Sequence, residues 1–87
     1  MTQPLAGKHI LIVEDEPVFR SLLDSWLSSL GAMTSLAEDG IDALEKMISI
    51  TPDLMICDIA MPRMNGLKLV EHLRNEGNQT PILVISA

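Results

Sequence analysis

Three uninterrupted apolar runs stand out along the chain: Ile10-Leu-Ile-Val13, Leu54-Met-Ile-Cys57 and Ile82-Leu-Val-Ile85. Each is short and stops at a polar residue, Glu14, Asp58 or Ser86, so each predicts a strand buried on both faces, as in parallel sheets. Between them the apolar positions recur at spacings of three and four. Phe19, Leu22, Leu23, Trp26, Leu27 and Leu30 form one helical stripe, opened by Pro17 in the first turn and stopped by Gly31. Ile41, Leu44, Met47 and Ile48 form a second behind the capping residue Asp39, and Leu67, Val70 and Leu73 a third behind the turn Asn65-Gly66. Met33-Thr-Ser-Leu-Ala37 is half polar and reads as a strand at a sheet edge.

The predicted order is therefore β-α-β-α-β-α-β, in one α/β domain of 87 residues. Strands alternating with helices imply right-handed crossovers, hence a parallel sheet with helices on both faces, a three-layer α/β/α sandwich. The first, third and fourth strands are apolar throughout and are expected inside the sheet, the second at its edge. Strand order 2-1-3-4 meets that pattern and makes the C-terminal lips of strands 1 and 3 the switch point where such sheets bind ligands. Neighbouring strands lie about 4.8 Å apart, so Glu14, Asp15 and Asp58 should converge there.

Composition narrows the partners. With 47% hydrophobic and only 2% aromatic residues, the core must be aliphatic and filled by methionine. The net charge is −6, and the six bases (Lys8, Arg20, Lys46, Arg63, Lys68, Arg74) are scattered singly, which argues against direct nucleic-acid binding. The one cysteine, Cys57, rules out an internal disulfide and reads as a small core residue. No secretory signal pattern opens the chain, and no run approaches the roughly 20 apolar residues of a membrane span. A cytoplasmic protein without membrane contact is the expectation.

Carboxylates packed together repel unless a cation or a proton relieves them. Oxygen ligands without His or Cys favour Mg²⁺. Neutralised in this way, Asp58 could attack a phosphoryl group and become an aspartyl phosphate. Ser86, at the lip of strand 4, is placed to hydrogen-bond phosphoryl oxygens. Other readings stand beside these: Asp15 also fits a helix cap, Ser86 a plain loop hydroxyl, and His9 and His72 read as solvated or core-edge histidines. Met55, Met61 and Met64 read as packing. An aspartyl phosphatase of the haloacid-dehalogenase type fits poorly, because Ala60 stands where its second Asp belongs. A flavodoxin fits worse, since the lip loops are acidic and lack a Ser/Thr/Gly-rich phosphate cradle.

At these residues the chain resembles the receiver domains of two-component response regulators. The matching segments are Ile12-Val-Glu-Asp-Glu-Pro17, the run from Pro52 through Asp58 to Gly66, and Pro81-Ile-Leu-Val-Ile-Ser-Ala87. The resemblance implies a flavodoxin-like fold and phosphorylation of Asp58 by a histidine kinase or a small phosphodonor. It also implies Mg²⁺ held by Asp15, Asp58 and the main-chain carbonyl of Ala60, with Glu14 as supporting acid and Ser86 as switch hydroxyl. Such a domain is not an enzyme beyond its own phosphoryl transfer and dephosphorylation. More narrowly, Met55-Ile-Cys-Asp-Ile-Ala-Met-Pro-Arg-Met-Asn-Gly66 resembles the receivers of adaptors that hand the stationary-phase sigma factor to the ClpXP protease, which implies those two partners. A phosphorylation-independent interaction module is the alternative.

Set against the family pattern, residues 1–87 are a partial receiver that stops after strand 4. The fourth helix, fifth strand and fifth helix, with the family's lysine and aromatic switch position, fall outside it. Strand 4 then becomes an open sheet edge, a template for pairing with another chain. A dimer or a strand swap through that edge is expected.

Overall fold

The computed structural model describes residues 3–86. It contains β1 (His9–Val13), α1 (Pro17–Ser29), β2 (Met33–Ala37), α2 (Gly40–Lys46), β3 (Leu54–Asp58), α3 (Gly66–Asn75) and β4 (Ile82–Ile85). The four strands form one parallel sheet in the order β2-β1-β3-β4. Element order, strand direction and strand order all agree with the sequence reading.

Residue alternation along β1 and β3 divides the interior in two. Leu11, Val13, Met55 and Cys57 point to one face, where Ala43 of α2 and Leu69 and Leu73 of α3 close over them. Ile10, Ile12 and Ile56 point to the other, against Leu27 of α1, with Leu23 packed beside it. The apolar runs 10–13 and 54–57 are thus used on both sides of the sheet.

The helix ends follow the capping signals. Glu16 accepts a hydrogen bond from the Phe19 N–H (2.7 Å), Asp39 from the Asp42 N–H (2.8 Å) and Asn65 from the Lys68 N–H (2.9 Å). Glu16 is therefore the cap of α1. Gly31, just past α1, has φ +99°, a left-handed backbone that favours glycine.

The helical stripes require correction, because helix rotation is not local. On α1, Leu23 and Leu27 meet the sheet, whereas Leu22 and Trp26 are about 60% exposed. The hydroxyl of Thr34 on β2 donates to Asp24, one residue round from Leu23, and fixes which flank of α1 faces that strand. On α2 the helix ends at Lys46, so Ile48 lies in the following turn and is exposed. On α3 the buried residues are Gly66, Leu69 and Leu73, and Leu67 is 60% exposed. The fourth strand is the sheet edge among the described residues, as the order 2-1-3-4 implies, and its residues are only partly covered, with Leu83 half exposed.

Candidate functional site at the acidic lip

Both central strands deliver an acid at the same end of the sheet. Val13 pairs with Cys57 in the parallel register, so Glu14 and Asp58, the next residue on each chain, emerge side by side. One carboxylate oxygen from each of Glu14, Asp15 and Asp58 lies within 4.8 Å of the others. The convergence expected from the sequence is therefore present. Glu14 and Asp58 are 1% and 5% exposed, while Asp15 faces solvent.

Glu14 is held on all sides but one. Its N–H donates to the Ala37 carbonyl (3.0 Å), its carbonyl accepts from the Arg20 guanidinium (2.8 Å), and its Oε1 accepts from the Glu16 N–H (3.0 Å). Its Oε2 is buried without a hydrogen-bond partner among the described residues. Burial pushes the Glu14 carboxyl up to about 7, and the negative charges of Asp58 and Asp15 add to that rise, against the lowering effect of the Glu16 N–H. A buried carboxylate oxygen left unsatisfied is costly, and it marks where a cation or proton is wanted.

Asp58 is fixed by its own strand and by the loop behind it. The Ala60 N–H donates to Asp58 Oδ1 (3.3 Å), which brings the Ala60 peptide to the site. Gly66, at the start of α3, packs so closely that a Cβ there would collide with the Asp58 carbonyl oxygen. Only glycine permits that approach, and it dictates the rotation of α3 that buries residues 66, 69 and 73. Asp58 pairs with Ile85 across β3 and β4, and the Ile59 N–H donates to the Ile85 carbonyl (2.9 Å). Ser86 thus follows at the same lip, exposed.

The donor set fits Mg²⁺. It consists of carboxylate oxygens with no histidine, and Glu14, one of its three residues, has a buried and unpartnered oxygen. Cys57 is close by but is no ligand, since burial pushes its thiol up to about 12 and its Sγ–H donates to the Asp58 carbonyl (3.4 Å). His9 and His72 lie elsewhere: His9 pairs with the Ser35 hydroxyl (2.7 Å), His72 with Glu76 (3.1 Å).

Sequence reasoning missed two arginines. Arg20 reaches back from α1 to the carbonyl of Glu14, and Arg63 makes a two-pronged ion pair with the buried Asp39 (2.6 and 2.9 Å). Asp39 also performs the helix-cap role that its residue type suggests. No local pattern links Arg63 to Asp39, 24 residues away, and the Arg20 contact, six residues back, is to a main-chain carbonyl that any residue at position 14 would present.

Residues 10–87 match the family model of the response regulator receiver domain, and the chain belongs to that family. It is 79% identical over its whole length to the Regulator of RpoS of Escherichia coli K12, and 42% identical over 91% of its length to the response regulator MprA of Mycobacterium ulcerans. It spans about a quarter of the first relative (26%) and a third of the second (34%). Among solved structures it resembles a Francisella response regulator receiver domain (TM-score 0.89, 26% identity, covering 93% of this chain and 67% of that one). It also resembles TrrA from Thermotoga maritima, solved in complex with Mg²⁺-BeF (TM-score 0.86, 39% identity, covering 92% and 70%).

Proposed function

We propose that this receiver accepts a phosphoryl group on Asp58 in a Mg²⁺-dependent reaction. The observation that carries the reading is the meeting of Glu14, Asp15 and Asp58 at one lip, where Glu14 also has a buried, unpartnered carboxylate oxygen. A structural role alone gives no reason to bury like charges together without a partner. Asp15 and Asp58, with the Ala60 main-chain carbonyl, would hold the ion, and Glu14 would support them. What bound Mg²⁺ supplies there is charge neutralisation, which lets an anionic donor approach an anionic nucleophile.

In the transfer, an Asp58 carboxylate oxygen forms a bond to phosphorus as the donor's bond to that phosphorus breaks. The donor leaves with the electron pair, as acetate from acetyl phosphate or as a histidine imidazole from a kinase. Ser86 then has a phosphoryl oxygen to which its hydroxyl donates. The chain acts on itself and turns over no other substrate.

Similarity to the Regulator of RpoS supports a further step: phosphorylation promotes capture of the stationary-phase sigma factor for delivery to the ClpXP protease, in the cytoplasm. No helix among the described residues is long and apolar enough to cross a membrane.

The central test is intact-protein mass after acetyl phosphate treatment of the native-length protein. A Mg²⁺-dependent gain of one phosphoryl group, absent in Asp58→Asn, is expected. Wild-type protein that never gains mass, yet binds its sigma factor equally well as Asp58→Ala, would instead establish an interaction module that works without phosphate.

A further inference from the structure

The loop that follows Asp58, residues 59–65, carries the Ala60 peptide and is anchored at its two ends, where the Ile59 N–H donates to the Ile85 carbonyl and Asn65 caps α3. Ala60 donates to Asp58, and the Gly66 N–H donates to the Ile59 carbonyl (2.9 Å). Between those ends Arg63 sits at φ +63°, a left-handed conformation that is strained for a residue with a Cβ. Such strain persists only where the surroundings enforce it.

A tight turn closes around Arg63, with the Met64 N–H donating to the Pro62 carbonyl (2.6 Å), and Met61 and Met64 pack against the core; the polar contact that carries this turn across to another element is the Arg63 guanidinium. Its Nε and Nη2 grip both carboxylate oxygens of Asp39 in a fork, and Asp39 is 4% exposed. The pairing holds the Asp39 carboxyl below its ordinary value, and the Asp42 N–H also donates to Asp39 Oδ1. A second contact joins the same segments, because Gly40 leaves so little space that a Cβ would lie 2.8 Å from Met64. The middle of the loop is thereby clamped to the start of α2.

We propose that Arg63 and Asp39 are positioning residues for the Asp58 site: their two-pronged pair latches the 59–65 loop to the start of α2 and so holds the Ala60 peptide at Asp58. The inference rests on the Mg²⁺ reading above for its consequence, since the Ala60 carbonyl is a proposed ligand, but the latch itself is read without it. An isolated ion pair on a protein surface contributes little. This one differs because one partner is buried and the other is held in a strained backbone.

The experiment uses the native-length protein with Arg63→Gln, Arg63→Lys, Asp39→Asn and the double variant Asp39→Asn/Arg63→Gln. Asparagine caps helices as well as aspartate does, so Asp39→Asn removes the charge and keeps the cap. Amide hydrogen exchange at Ala60 and Gly66 is compared with that at Met55, whose N–H donates to the Pro81 carbonyl far from the latch. Arg63→Gln should speed exchange at Ala60 and Gly66 about tenfold and leave Met55 unchanged. Mg²⁺ affinity by calorimetry should fall about tenfold, the scale of lost outer-shell support. Arg63→Lys should recover part of both, and the double variant should be no worse than Arg63→Gln alone, because both act through one contact.

Unchanged exchange at Ala60 and Gly66 overturns the proposal, as does uniform acceleration of all three amides with Mg²⁺ affinity intact, which would mark a merely stabilising pair. If wild-type protein takes up no phosphoryl group, the phospho-acceptor reading fails while the exchange data still decide the latch.

Discussion

The two ends of the same central strands treat their acids in opposite ways. At the N-terminal end, Asp53 is exposed and fully employed: it accepts from the His9 N–H (2.8 Å), and its own N–H donates to the His9 carbonyl (2.7 Å). It ties β3 to β1 and carries no sign of strain. At the C-terminal end, Glu14 and Asp58 are buried together, and one carboxylate oxygen is left without a partner. A carboxylate that staples strands is solvated or satisfied, whereas one held ready for chemistry is stored at a cost.

The largest expected difference between the ends is chemical. Asp58→Asn should abolish Mg²⁺-dependent mass gain from acetyl phosphate, and Asp53→Asn should leave it at the wild-type rate. An adduct on the Asp58→Asn protein would place the nucleophile elsewhere.

Next in size is Gly66→Ala. Its methyl group has no room beside the Asp58 carbonyl, so either α3 or the end of β3 must shift. Overpacking of this kind costs roughly 1–3 kcal/mol, to be seen as a lower urea midpoint together with weakened Mg²⁺ binding. Gly77→Ala makes a useful control: no atom lies within 4 Å of its added methyl, yet its φ of +80° makes the substitution strained for backbone reasons alone. It should destabilise without touching Mg²⁺ affinity.

The acidic lip should also show itself in pH dependence. Glu14 keeps its proton in the folded state up to about 7, whereas its ordinary value is 4.5. Its contribution to stability is thus fully present below about 4.5 and is lost as pH rises through 7. Without Mg²⁺, unfolding free energy should fall by something on the order of 1–3 kcal/mol between pH 5 and pH 8. Glu14→Gln should flatten that slope, and saturating Mg²⁺ should do so in the wild type. A metal-free slope of the opposite sign would show that Glu14 is ionised and relieved by some other means.

The smallest effect belongs to the satisfied end. Asp53→Asn weakens one exposed hydrogen bond and should cost about 1 kcal/mol or less, with the pH dependence between 5 and 8 unchanged. A loss as large as that of Gly66→Ala would erase the contrast between the two ends.

Much of this was readable before any coordinates. The three apolar tetrads became β1, β3 and β4, and the half-polar segment at 33–37 became the edge strand β2. Asp39, Asn65 and Gly31 punctuate helices as their residue types suggest. The acids Glu14, Asp15 and Asp58 could be brought together from strand order alone, because parallel strands end at a common lip. The helix faces were less legible: Leu22, Trp26 and Leu67 share their stripes with buried residues yet look outward.

What the sequence determined by itself is whatever short-range periodicity encodes: which segments are strands or helices, that β1 and β3 are buried on both sides, and hence that three carboxylates gather at one end of the sheet. Only the tertiary structure decided the rotation of each helix, the isolation of Glu14 Oε2 and the grip of Arg63 on Asp39. These depend on close approaches between segments far apart in sequence, such as Gly66 against Asp58. A missing Cβ or a single guanidinium leaves no periodic trace along the chain, and its consequence exists only once the layers have packed.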